Sequence, residues 1–374
     1  MLRPLRDEWE MEFVESGAMA LERMAQLPFD VVVSDMRMPG MNGAELLGEV
    51  MRRYPKTVRL ILSGHADKDL ILKCVGSTHQ YLAKPCDAEA LKATVLRAGS
   101  VENTLRDEKL KALVARMDNL PSIPSLYVQM VEALQRSEVT LEEVGAIIAK
   151  DMAMTAKILK LVNSAFFGLR RQVSSAAEAV NYLGLDTIRS LVLSINAFSQ
   201  FDSLPLGRFS IEALWTHSLN TAATAKAIAQ AECDDPKLAD EAFIAGMLHD
   251  IGKLVLAANF TEKFNRSLTL IWDDKMDPIS AEAEVFSASH ADVGGYLLGL
   301  WGLPVPVVEA IALHHSPSKA TQKKFSPLTA VHAANAIVHE RDTSTGQNAS
   351  SQIDSDYLSA LGLAEHVNGW RKAA

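Results

Sequence analysis

Cysteine is scarce. The three present, Cys74, Cys86 and Cys233, form no CxxC pair and no even set, so neither a disulfide framework nor a thiolate zinc site is indicated. No apolar run approaches the ~20 residues that a bilayer-spanning helix needs, and the N-terminus lacks the charged-then-apolar pattern of a signal peptide. The expectation is a cytoplasmic protein with no membrane partner. Basic charge is also short: 37 Lys and Arg against 46 Asp and Glu leave a net charge of -9. That argues against broad electrostatic binding of nucleic acid or anionic membrane, which needs a basic field.

What is present is an ordinary globular balance, 48% hydrophobic and 22% charged over 374 residues, long enough for two or three domains. The first hundred residues alternate strand and helix. "DVVVSD" is a β-branched run ending in an acid, followed by the Pro/Gly loop "MRMPGMNG" and the helical "AELLGEVMRRY". "VRLILSG" then reads as a strand, "KDLILKCVG" as a helix, "QYLAKP" as a strand and "AEALKATVLRA" as a helix. Such alternation predicts a parallel sheet covered on both faces, with its site at the carboxyl ends of the strands.

Residues 99–120 change character. Val101, Leu105, Leu110, Leu113 or Val114, Met117 and Leu120 recur at helical steps among charges. The pattern suits a linker helix, either one that pairs with a second copy or one that connects and packs on its neighbours. From 121 onward the pattern is almost wholly helical, and 341–352, "RDTSTGQNASSQ", interrupts it before the last helices. The expected organisation is an α/β domain over 1–98, a linker helix over 99–120, an all-α domain over 121–340 and a helical extension over 341–374.

Asp35, Ser63 and Lys84 stand on three expected strand ends. A carboxylate can accept a phosphoryl group, a hydroxyl can hydrogen-bond it and an ammonium can neutralise it. Tyr81 is placed to swing between exposed and buried positions. "VVVSDMRMPGMNG", "LILSG" and "YLAKP" resemble the receiver domain of two-component response regulators. The resemblance implies a flavodoxin-like fold, Asp35 as phosphoacceptor, Ser63, Tyr81 and Lys84 as the switch, and a sensor histidine kinase or other phosphodonor as partner. It also implies a first apolar strand ending in two adjacent acids that bind Mg²⁺. The chain opens instead on "MLRPLRDEWEMEFVES", where Asp7 and Glu8 do not take that place. A strand near Glu10 to Glu15 would lack its neighbour, and the expectation is a start lying upstream.

The helical part gathers imidazoles: His217 in "LWTHSL", His249 in "GMLHDIGKL", His290 in "SASHADVGGYLL", His314 and His315 in "ALHHSP", and His332 in "AVHAAN". Imidazoles with a carboxylate from several helices suit a single Zn, Mn or Fe ion, and a lone one on an apolar face is commonly core. The set resembles the HD superfamily of metal-dependent phosphohydrolases. His217, His249 and Asp250 match its first ligands. His290 with His314 or His315 match the extra ligands of its cyclic-dinucleotide phosphodiesterase branch, and Lys253 would lie near a phosphate. Asn335 stands where the last acid belongs, and "SPSKATQKKFSP" replaces that branch's Gly-Tyr-Pro loop.

A fuller resemblance is to the HDOD domain, the HD-related output domain, through "LPSIPSL", "IIAKDMAMTAKILKLVNSAFFG", "AVNYLGLDTIRSLVLS" and "HADVGGYLLGLWGLPVPVVEAIALHH". It implies a signalling or scaffold module acting on an unidentified output protein. Trp215 and Trp301 read as core anchors, Phe166 and Phe167 as core packing, and Asp151, Lys157 and Lys160 as a solvated face. Arg170 and Arg171 are a candidate phosphate contact. The expectation is a response regulator with a mainly non-catalytic output domain. The rivals are a phosphohydrolase and a passive scaffold.

Overall fold

The structure, a computed structural model, describes residues 9–63, 77–84, 88–102, 107–115, 139–163, 172–194, 209–341 and 352–373. It also describes 86, 105, 117, 121–122, 129–130, 133–134, 136, 138 and 199–200. Cys74, Phe166, Phe167, Arg170, Arg171, the expected helix "KDLILKCVG" and most of the polar stretch at 341–352 lie outside them.

Ser16 caps α1 (Gly17–Gln26) by accepting from the Met19 amide at 3.3 Å. No strand forms near Glu10 to Glu15, contrary to expectation. That segment is irregular and is tied to α1 through Glu12, whose carboxylate takes two nitrogens of Arg23. β1 (Val31–Asp35), β2 (Val58–Ser63) and β3 (Gln80–Ala83) form a parallel sheet in that order. The register pairs Asp35 with Leu62 and Ser63 with Ala83, which brings the three strand ends level. Between β1 and β2 runs α2 (Gly43–Arg53), opened by a reciprocal cap between Asn42 and Glu45. Gly43 is required there, because a Cβ would sit 2.2 Å from the Asp35 carbonyl oxygen.

The expected linker helix is two helices. α3 (Ala88–Glu102) continues from the α/β part, and α4 (Glu108–Val114) starts afresh at an Asp107 cap. Leu105, Leu110, Val114 and Met117 are all buried in the chain's own core. Of the two expectations for this stripe, these four residues follow the packing one, and burying them in the chain's own core is worth about 1.5–3 kcal/mol each.

Beyond a two-residue strand β4 (Pro121–Ser122) come α5 (Leu141–Ile148), α6 (Met152–Val162) and α7 (Ala176–Ser194), which bends at Gly184. β5 (Ser199–Gln200) pairs in parallel with β4, a small addition to the all-helical expectation. The remaining helices are α8 (Ile211–Glu232), α9 (Pro236–Leu248), α10 (Ile251–Asn259), α11 (Thr261–Trp272), α12 (Pro278–Phe286), α13 (His290–Leu300), α14 (Val305–Leu313), α15 (Pro327–Arg341), α16 (Ser355–Ala360) and α17 (Val367–Ala373). The last two pack back on the bundle: Tyr357 meets Thr329 at 2.8 Å, and the Trp370 indole donates to Glu232.

Asp151, Lys157 and Lys160 are 0%, 4% and 2% exposed, so the expected solvated face is interior. Lys160 places its ammonium 4.7 Å from the Trp301 ring centroid, a cation–π contact that lets a charge sit inside. Trp215 and Trp301 are core residues, as expected.

The α/β and helical parts touch closely. Gln80 of β3 donates to the Leu300 carbonyl at 3.1 Å, and α3 and α4 both pack on α13. Arg59 of β2 is fully buried and donates to the Ala115 carbonyl at 2.6 Å, which also lies 2.9 Å from His79 Nε2.

Two outcomes follow for stability. A Cβ on Gly252 would lie 1.9 Å from the His290 carbonyl, whereas one on Gly48, in mid-α2, meets nothing within 4 Å. Gly252→Ala should lower stability in urea unfolding by about 1–3 kcal/mol or more, and Gly48→Ala should raise it by about 0.5–1 kcal/mol. Burial holds His79 well below the ordinary imidazole range, with Arg59 adding to the effect. It stays neutral in the fold, while the unfolded chain protonates near pH 6.5. Its contribution is therefore complete above that pH and is lost as pH falls below it, measurable as a declining urea midpoint from pH 7 to pH 5.

Candidate functional site

At the sheet's carboxyl edge, Lys84 Nζ is ion-paired with Asp35 Oδ2, and the Arg37 amide donates to Asp35 Oδ1 at 3.2 Å. Both side chains of the pair are about two-fifths exposed, so Asp35 faces solvent. Ser63 sits one strand over, with a buried hydroxyl that has no hydrogen-bond partner among the described residues. Tyr81 occupies a buried position. Among the described residues no group of three acidic or imidazole ligands forms around Asp35. One carboxylate is too few for the oxygen shell Mg²⁺ requires, and Asp7 and Glu8 lie outside the described residues.

The second cluster is built by helix ends. α9 stops at Leu248, His249 follows it, and Asp250 stands at the N-cap of α10. An Asp there ordinarily caps the helix, but Asp250 makes no capping bond. Its carboxylate turns into the bundle instead, where Oδ2 accepts from Lys253 Nζ at 2.7 Å and Oδ1 lies 3.1 Å from His290 Nε2. His290 opens α13, and its Nδ1 and backbone amide each lie 2.7 Å from Glu282 of α12. The contact between His290 and the start of α10 is possible because residue 252 is glycine.

His249 and His314 each direct Nδ1 to the backbone carbonyl three residues earlier, Gly246 and Ile311, at 2.7 and 2.8 Å. Nδ1 must donate there, so the lone pair lies on Nε2. Both Nε2 atoms are buried with no hydrogen-bond partner among the described residues, while Asp250 Oδ1 faces His290 Nε2. Orphaned acceptors beside a buried carboxylate are costly, and a cation is what would satisfy them. His315 Nε2 lies 3.2 Å from His290 Nε2.

Two ligand groups result, each with donor atoms within 4.8 Å of one another: Asp250 with His290, His314 and His315, and Asp250 with His217 and His249. In the first, Asp250 Oδ1 is 3.1 Å from His290 Nε2 and 4.0 Å from His314 Nε2. Donors about 2.0–2.2 Å from a tetrahedral ion stand roughly 3.4 Å apart, so the spacing fits. The links from His290 to Glu282, and from His249 and His314 to carbonyls, are the outer partners that orient imidazole ligands.

Electrostatics favour three of the imidazoles as donors and set His290 apart. Burial pushes His249 down to about 4 and holds His314 and His315 well below the usual imidazole range, so all three are neutral donors. Burial opposes charge on His290 as well, but Glu282 and Asp250 raise it to about 9. Asp250 stays well below its usual range although burial works against it, because His249, Lys253 and His290 surround it.

The expected ligands His217, His249, Asp250, His290, His314 and His315 are thus all brought together, and Lys253 is placed on Asp250 itself. His332 stands apart: its ring nitrogens engage the His314 carbonyl and the Asp354 amide, each at 2.8 Å, a structural role. Asn335 accepts from His217 Nε2 at 2.9 Å. Glu282 and His339 were missed from sequence. Glu282, inside "AEAEVF", carries no sequence signal, whereas His339, inside "IVHERD", stands four residues after Asn335, a spacing that could have drawn attention to it.

Among the described residues no helix is long and apolar enough to cross a membrane. The family model for the response regulator receiver domain matches residues 1–96, and that for the HDOD domain matches residues 120–317. An uncharacterised protein of Treponema pallidum is 27% identical over 78% of this chain and 55% of its own length. The hydrogenase transcriptional regulatory protein HoxA of Cupriavidus necator is 36% identical over 26% of this chain and 20% of its own length. The chain thus spans about half or less of these curated relatives. Among solved structures, the MmoQ response regulator of Methylococcus capsulatus is 27% identical, with a TM-score of 0.51, over 68% of this chain and 98% of that one. A virulence factor of Campylobacter jejuni shares the fold, with 18% identity and a TM-score of 0.52 over 72% of this chain and all of that one. The chain belongs to the HDOD family and is a response regulator, a receiver domain followed by an HDOD output domain.

Proposed function

We propose that phosphorylation of Asp35 controls how the HDOD domain engages an output protein, and that the Asp250 cluster holds a divalent ion with a mainly structural role. The observation that carries the first half is the placement of Lys84 on Asp35 beside the unpartnered Ser63 hydroxyl. A phosphoryl group on Asp35 brings about two negative charges. Lys84 would neutralise part of that charge, and Ser63 would donate to a phosphoryl oxygen, drawing the ends of β2 and β3 toward Asp35. A receiver implies a phosphodonor such as a sensor histidine kinase.

The contacts of β3 supply a route onward. Gln80 opens the strand that Lys84 closes, and it bonds the Leu300 carbonyl of the output domain. A shift of β3 would be felt there, biasing two arrangements of the domain contact in the manner of a local charge switch. No direct nucleic-acid contact is part of this reading.

A phosphohydrolase is the second reading, favoured by the way Asp250 belongs to both ligand groups, since a shared carboxylate is how two ions are held close. Against it stands Asn335, a neutral amide that accepts from His217 instead of supplying an anionic oxygen. Lys253 also takes one oxygen of Asp250. Zn, Mn or Fe would supply Lewis acidity if bound. The residues here would fix imidazole orientation and exclude water from a floor formed by His249, Asp250, His290 and His314, all 0–1% exposed.

Labelling with a small-molecule phosphodonor should be abolished by Asp35→Asn and slowed at least tenfold by Lys84→Ala. Persistence of label in Asp35→Asn would reject the assignment. Cyclic dinucleotides incubated with the metal-loaded protein should remain intact, and hydrolysis lost in Asp250→Ala would establish the enzymatic reading in its place.

A further inference from the structure

We propose that His339 is a metal donor of the Asp250 cluster, supplying from one helical turn further along α15 the ligand that Asn335 does not. The inference rests on the reading that this cluster binds a divalent ion, and it assigns a residue and a donor chemistry to the incomplete half.

That half has three donors, His217, His249 and Asp250, within 4.8 Å of one another. A closed tetrahedral site needs a fourth. Residues four apart share a helix face, so His339 emerges beside Asn335, which itself bonds His217. The His339 ring lies against the His217 ring with centroids 4.3 Å apart and planes 34° apart. Rings of the complete half show what co-ligand spacing looks like in this bundle: 4.0 Å between His314 and His315, and 5.1 Å between His290 and His315. The His217 and His249 rings are 5.2 Å apart. The His339 spacing falls within that range. Its ring stacks on His217, its nitrogens lie outside the group of donors within 4.8 Å of one another, and coordination requires its side chain to rotate inward.

Position and chemistry agree with that role. His339 is half-buried at the mouth of the cluster, on the side where Lys253, 22% exposed, and the half-buried His217 meet solvent. Asn335 Oδ1 accepts the His217 Nε2 proton, which puts that ring's lone pair on Nδ1 and makes Asn335 a positioning residue. The resulting set is three imidazoles and one carboxylate oxygen. Nitrogen donors suit Zn, Fe or Co and disfavour Mg and Ca, which take oxygen shells. An acid at 335 would have given a harder, more anionic site. Lys253 must also leave Asp250 Oδ2 for an ion to bind there, so this position is the weaker of the two.

Titrating the full chain, stripped with chelator, with Co²⁺ and following the visible d–d bands tests the assignment without any enzymatic readout. The wild type should take up two equivalents, the second more weakly. His290→Ala should lose the tighter one. His339→Ala and His339→Phe should both weaken the second by at least about tenfold, the scale on which even outer-shell partners count. The Phe variant keeps a ring to stack on His217 but offers no donor, so loss in both separates coordination from packing. Wild-type uptake of the second ion by His339→Phe, or a single equivalent in wild type that His339→Ala does not alter, would overturn the proposal while leaving the metal reading intact. No cobalt uptake by any variant would overturn both.

Discussion

A carboxylate at 1% exposure is the constraint around which the helical domain is arranged. Asp250 cannot be left alone in the interior, because an uncompensated buried charge costs several kcal/mol. Everything near it answers that demand. Lys253 comes up from the next turn of α10, His290 arrives at the head of α13, and His249 and His314 close the floor from the ends of α9 and α14. Each comes from a helix terminus, where a side chain can be aimed without breaking the helix. Glycine at 252 permits the approach of α13 that makes the contact possible.

The same arrangement recurs in the receiver on a smaller scale. Asp35 also stands at an element end with a lysine on one carboxylate oxygen, but there the pair is open to water and the nearby group is a hydroxyl able to donate. The two sites therefore differ in what can replace the ammonium. An exposed, lysine-paired aspartate beside a buried Ser hydroxyl suits a phosphoryl group that comes and goes. A buried one near the neutral imidazoles of His249, His314 and His315 suits a cation that stays. On the proposed reading the first is a switch and the second a structural hub, with the β3 to α13 contact at Gln80 and Leu300 between them.

Much of this was legible in the sequence, for identifiable reasons. Strand ends carrying Asp35, Ser63 and Lys84 follow from β-branched runs bounded by Pro and Gly, and the sheet has that order and sense. His249 with Asp250 and His314 with His315 were readable because His beside Asp or His is rare in apolar helices, and His217 and His290 through the resemblance to the HD superfamily. What failed was burial. Asp151, Lys157 and Lys160 look like a solvent face, since charge is ordinarily outside, yet they are interior and Lys160 is accommodated by an indole. The stripe from Leu105 to Met117 carries the period of a self-pairing helix, but period alone does not say which surface covers it, and the output bundle does. Glu282 was invisible for a related reason: an acid in an amphipathic helix is unremarkable until the fold places it 2.7 Å from an imidazole.

The central claim is that orphaned donors around Asp250 exist to hold a metal, with the bundle built to present them. Elemental analysis of protein purified without chelator measures this directly, with Asp250→Asn as the paired variant, since Asn keeps the shape and removes the charge. The account predicts a divalent transition metal bound at about one equivalent or more in the wild type and absent from Asp250→Asn, with both proteins folded by circular dichroism. A folded wild type free of metal, and equally free after incubation with excess Zn²⁺ or Mn²⁺, would contradict it.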